Sequence, residues 1–127
     1  MEAERLNQVS QVILDAAFRV HTALGSGLLE SAYEHCLWYE LNKQSVRVDR
    51  QLLLPIHYDG LKIDAGYRLD LLVEQCVIIE IKAVERLLPI HEAQLLTYLK
   101  LAEKPLGLLI NFNVRSLKNG IKRMIRD

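Results

Sequence analysis

Apolar positions recur along this chain with two different periods. Leu6, Val9, Ile13, Ala16, Ala17 and Val20 repeat every three to four residues, which predicts a first helix over about residues 4–23. Gly25-Ser26-Gly27 interrupts it. Ser26 is then a candidate N-cap for a second helix through about Leu41, with Leu29, Tyr33, Cys36, Leu37 and Leu41 facing inward. Beyond Asn42-Lys43-Gln44 the pattern becomes strand-like. Val46 to Tyr58 is one extended run that bends at Pro55, and Asp59-Gly60 is a hairpin turn. Two more apolar runs follow, Tyr67 to Val73 and Cys76 to Lys82. Pro89 stands near the start of a helix over about Ile90 to Leu101, where proline is tolerated. Leu106 to Phe112 reads as a buried strand, parallel to a neighbour because a helix crossover precedes it. Leu117, Ile121 and Ile125 predict a last helix over about Ser116 to Ile125. The resulting order, ααβββαβα, is an α/β sandwich around a mixed sheet.

The two runs after the hairpin carry charge where a buried strand should not. Asp70 lies inside the first, Glu80 and Lys82 inside the second. A buried ionised group is costly unless it is paired or holds a metal. Strand alternation puts Glu80 and Lys82 on one face, with Ile81 on the other. Two acids and one ammonium converging in an apolar sheet suit a divalent-cation site beside a positioned lysine, the chemistry of phosphodiester hydrolysis. The alternative is a structural ion pair of Lys82 with Asp70 or Glu80. Register decides whether the carboxylates meet. A two-residue turn at Glu74-Gln75 would set Asp70 opposite Ile79, on the wrong face. A three-residue connection, Glu74 to Cys76, pairs Val73 with Val77 and Asp70 with Glu80. The metal reading requires the second register. The repelling carboxylates would then suit Mg2+ or Mn2+, a hard cation bound by one or two carboxylates, waters and phosphate oxygens.

Bulk properties narrow the setting. The chain has 127 residues, 50% of them hydrophobic, so a single domain over 1–127 with a real core is expected. It has no apolar run of membrane-spanning length and no N-terminal pattern of a signal peptide. Cys36 and Cys76 lack metal-ligand spacing and read as reduced core thiols of a cytoplasmic protein. With 16 basic and 16 acidic residues, net charge gives no support for strong non-specific DNA binding, although a local basic face remains compatible with it.

The spacing Asp70-x9-Glu80-x-Lys82 resembles the PD-(D/E)xK nuclease superfamily, with Leu69 where the motif has proline. Gly27-Leu28-Leu29-Glu30-Ser31-Ala32-Tyr33 resembles the signature of the bacterial GxxExxY family, placed in that superfamily on sequence grounds. So do Ala23-Leu24-Gly25, Glu80-Ile81-Lys82-Ala83, His91-Glu92-Ala93-Gln94, Tyr98-Leu99-Lys100 and Gly107 to Phe112. The resemblance covers nearly the whole chain. It implies a restriction-endonuclease-like αβββαβ core, to which the chain would add an N-terminal and a C-terminal helix. It implies a metal-dependent nuclease acting on nucleic acid, in the first instance DNA. Asp70 and Glu80 would bind Mg2+ or Mn2+, and Lys82 would position the nucleophile or stabilise the transition state.

Further candidates each carry a plainer alternative. Glu30 suits the first turn of a helix electrostatically, and the resemblance adds a role as a further metal or water ligand. Gln94 and Tyr98 are i,i+4 neighbours whose spacing resembles a RecB-like motif beside the active site. There the glutamine contacts the substrate backbone, while Tyr98 packs. His91 either contacts phosphate or caps its helix. Lys118, Lys122 and Arg126 would share one face of the last helix, as a solvated face or a phosphate-contacting edge. So small a domain has little surface for sequence readout, which favours structure-specific cleavage by a homodimer. The rival function is a nuclease fold that binds nucleic acid or a protein without catalysis.

Overall fold

The computed structural model describes residues 3–126. Helices α1 (Ala3–Leu24) and α2 (Glu30–Lys43) are followed by strands β1 (Val48–Tyr58), β2 (Leu61–Val73) and β3 (Val77–Lys82). Helix α3 (Pro89–Ala102) leads to β4 (Leu106–Asn111), a 3₁₀ turn (Leu117–Gly120) and β5 (Ile121–Ile125). The five strands form one sheet in chain order, antiparallel except for β3 and β4, whose parallel pairing is bridged by α3. The core expected from the resemblance is present as α2-β1-β2-β3-α3-β4, with α1 and β5 added.

Two apolar layers sandwich the sheet. The stripe of α1 predicted from its periodicity is buried at Val9, Ile13, Ala16, Ala17 and Val20, and with α2 it covers Ile79, Ile81 and Ile110. The α3 residues Leu95 and Leu99 cover Leu69, Leu72, Ile78 and Leu109 on the other face. Each such side chain contributes on the order of 2 kcal/mol by leaving water. Helix α2 starts later than Ser26. Leu29 is its N-cap, extended and 77% exposed, and Cys36 is only half-buried. Tyr33 explains the delay: its hydroxyl accepts from Leu28 N–H at 3.1 Å and donates to the Gly25 carbonyl at 2.7 Å. The glycine segment is thereby looped over the tyrosine, which stacks on Phe112 at 4.7 Å.

The last helix does not form. Strand β4 is buried along its length and has β3 on only one edge, so its other backbone edge needs a strand partner. Ile121–Ile125 supplies that partner. The spacing of Leu117 and Ile121 suits a turn entering a strand as well as it suits a helix, and both pack on the α1 layer. Gly120 lets the chain pass the preceding strand, since a Cβ there would lie 2.2 Å from the Asn111 carbonyl oxygen. Lys118, Lys122 and Arg126 therefore share no helix face. Arg123 turns inward to Asn7 and Ser10 of α1.

The connection that matters is the three-residue one. Glu74 and Gln75 adopt φ of 51° and 56°, and Cys76 N–H bonds back to the Val73 carbonyl at 3.0 Å. Val73 pairs with Val77, Leu72 with Ile78 and Leu71 with Ile79. Cys76 is buried at the turn, 1% exposed. At the other end of β2 the chain reverses at Asp59-Gly60, both with positive φ (47° and 81°), and the ladder shifts between Leu54 and Ile56, where Pro55 sits.

Candidate active site

The next rung after Leu71–Ile79 would be Asp70–Glu80, and there side chains replace the ladder. Glu80 Oε2 accepts from the Asp70 backbone N–H at 3.0 Å, while Ile81 N–H donates to Asp70 Oδ2 at 2.8 Å. The carboxylates thus meet between the strands, in the register that the metal reading requires. Asp70 is aimed there by a slip in strand phase. Leu69 and Leu72 both face α3, whereas Leu71 and Val73 face the α1 layer. Opposite the slip, Gln51 of β1 adopts φ 53°, and the β1–β2 ladder skips this rung. A non-glycine residue in that region is held by its surroundings.

Those surroundings include a residue that the sequence reading passes over. Glu34 of α2, 7% exposed, accepts from Arg50 Nε at 2.9 Å and from Gln51 Nε2 at 2.5 Å. The Arg50 guanidinium in turn lies 5.4 Å over the Trp38 ring. Glu34 follows Glu30 by one helical turn and so reads as a solvated face. Arg50, a cation inside a strand run, was the available signal.

The Asp70–Glu80 pair has a high proton affinity. Burial, foremost, pushes Glu80 up to about 8, and the adjacent Asp70 charge adds to it. Burial raises Asp70 to about 6, opposed by the Ile81 amide and by Lys82 and reinforced by Glu34 and Glu30. The two titrate as a unit. Lys82 lowers both, yet among the described residues it makes no ion pair, so the structural-pair alternative is not formed.

The remaining candidates divide. Glu30 is exposed in the first turn of α2, and its charge reaches Asp70 without joining a ligand cluster. Among the described residues no three His, Cys, Asp or Glu side chains converge on a metal position. Asp70 and Glu80 nonetheless fit a hard cation. They offer two carboxylates that make no ion pair among the described residues, a donor set of the kind Mg2+ completes with water and phosphate. From α3, Tyr98 is pushed up by burial and then by the Glu80 charge, an effect that Gln94, one helical turn earlier, opposes. Tyr98 stacks on Tyr67 at 4.8 Å, and the Tyr67 hydroxyl is buried without a partner among the described residues. His91 caps α3, its Nδ1 accepting from Leu88 N–H at 3.0 Å. Lys118 and Lys122 lie in the 3₁₀ turn and on the edge strand β5, with β4 between that strand and β3.

The sequence model of the PD-(D/E)XK nuclease superfamily matches residues 7–124 of this chain. Comparisons with curated proteins and with solved structures give no match.

Proposed function

Because this chain belongs to the PD-(D/E)XK nuclease superfamily, we propose that it hydrolyses phosphodiester bonds, in DNA, at the end of the β2–β3 ladder. The observation that carries the reading is the Asp70–Glu80 pair: a buried Glu80 and a half-buried Asp70, each held by the opposite strand's amide and neither in an ion pair with a described lysine, arginine or histidine. Asp70 and Glu80 would hold Mg2+ or Mn2+, which when bound offsets phosphate charge and lowers the pKa of a water. Lys82, on the face of Glu80, is placed to orient the nucleophile or to meet charge developing on the phosphate. Gln94 stands on the α3 side as a backbone contact for the substrate, and Glu30 on the α2 side as a water-positioning acid. Within the superfamily we place the chain with the GxxExxY family. Gly27 has φ 97°, and the Tyr33 hydroxyl holds the same loop, so two signature residues shape the entry to α2. The free thiols Cys36 and Cys76 suit a reducing cytoplasm, and no described helix is long and apolar enough to cross a membrane.

Calorimetric titration with Mg2+ and Mn2+, on wild type and Asp70→Asn, tests the reading. A cleavage panel of plasmid, single strand and junction follows with the same pair. Binding and cleavage that both disappear in the variant support it; a wild type that binds neither metal, even with DNA present, overturns it. That outcome would favour a non-catalytic binding module, a reading supported by the lack of a third ligand among the described residues.

A further inference from the structure

The distal half of the β1–β2 hairpin has no cover. Strand β3 pairs with only Leu71 to Val73 of β2; α3 still covers Leu69 and Tyr67, but Leu61 to Asp64 are all exposed, and there the inner edge of β2 is unpaired among the described residues. On one face of this ribbon Ile56 lies opposite Ile63 and Tyr58 opposite Leu61, with Tyr58 71%, Leu61 57% and Ile63 44% exposed. An isolated two-stranded ribbon with an apolar face is marginal in water. The other two sheet edges are guarded. Strand β1 carries Pro55 and a register shift, and β5 is five residues long with Lys122 and Arg123 on it. The start of β2 carries charge too, but of both signs, Lys62 and Asp64.

Its charges are arranged for self-pairing. Lys62 and Asp64 flank Ile63, share one face 3.6 Å apart and are highly exposed (59% and 87%). We propose that a second copy of this chain pairs with β2, antiparallel, about a two-fold axis at Ile63. In that register Lys62 opposes the partner subunit's Asp64, and the reciprocal pair forms across the axis. Ile63 meets its own copy, and the two apolar ribbon faces become continuous. Opposite charges facing across strands stabilise such a pair, whereas like charges oppose it. The contact is small, which makes it a weak, concentration-dependent dimer. The proposal goes beyond the nuclease reading and does not depend on it.

Sedimentation equilibrium on the intact chain tests it without reference to cleavage. Wild type is expected to shift from monomer to dimer between about 1 and 100 μM. Asp64→Lys, which sets four lysines together, is expected to remain monomeric. The double variant Lys62→Asp with Asp64→Lys is expected to regain the dimer, because the swap restores both cross-strand pairs. Both positions are solvent-exposed, so the variants keep the fold, as far-ultraviolet circular dichroism would verify. A wild type monomeric at roughly 100 μM overturns the proposal. So does a dimer indifferent to Asp64→Lys, or a double variant that stays monomeric.

Discussion

Two regions of this molecule bury carboxylates and complete them in opposite ways. Where α2 meets β1, Glu34 is matched within the chain by the Arg50 guanidinium and the Gln51 amide. Where β2 meets β3, Asp70 and Glu80 receive one backbone amide each and face one another. The first arrangement is electrically closed. The second makes no ion pair among the described residues, Lys82 lowering both acids without pairing with either, so it is open to a proton or an external cation. Burial is therefore common to the two regions; what separates them is whether a described side chain pairs with the acid.

Removing a member of each arrangement should separate them. On the nuclease reading, Asp70→Asn is expected to lower cleavage about 1000-fold, equivalent to ~4 kcal/mol of transition-state stabilisation. The same variant should leave the metal-free fold at pH 8 as stable as wild type or more so. Glu34→Ala is expected to do the reverse to stability, costing about 3 kcal/mol in chemical denaturation by stranding Arg50. Equal destabilisation by the two substitutions would erase the distinction.

Two smaller effects sharpen it. Both acids of the pair have folded pKa values raised above their ordinary 3.8 and 4.5, to about 6 and about 8. Their contribution to stability is therefore fully present below the ordinary values and lost as pH rises through the folded ones. The metal-free protein is expected to weaken between about pH 4 and pH 8 by a few kcal/mol, and Glu80→Gln to flatten that slope. Saturating Mg2+ at pH 8 should recover part of the loss, raising Tm by roughly 5 °C in wild type and not in Asp70→Asn. A slope of the opposite sign, or an equal Mg2+ shift in both proteins, would contradict the site as described. Gln94→Ala, on the α3 side, is expected to cost the least, about tenfold or less in cleavage measured as kcat/KM.

What the sequence made legible follows the range over which its signals act. The α1 stripe, the Asp59-Gly60 turn and the bend at Pro55 are local, and all three stand in the structure. The Asp70–Glu80 register was readable because a hairpin's connection length fixes what faces what. Longer-range terms escaped. Leu117 and Ile121 fit a helix until the unpaired edge of β4 is known to need a strand. Ser26 looked like a cap because nothing in its neighbourhood announces that Tyr33, seven residues on, takes over the glycine loop. Glu34 stayed hidden because Arg50 and Gln51 come from another element sixteen or more residues away. The slip at Asp70 was equally invisible, since alternating apolar residues on β2 say nothing of the left-handed Gln51 across from it.

The buried thiol at the β2–β3 turn has a practical consequence. Cys76 sits at the closed end of the hairpin whose strands carry Asp70 and Glu80, whereas Cys36, the other cysteine, is partly open to solvent. A thiol reagent meets Cys36 directly but reaches Cys76 only when the hairpin end lifts away. The chain thus contains its own stopwatch for the opening of the strands that carry its acids, with a second thiol as the running reference.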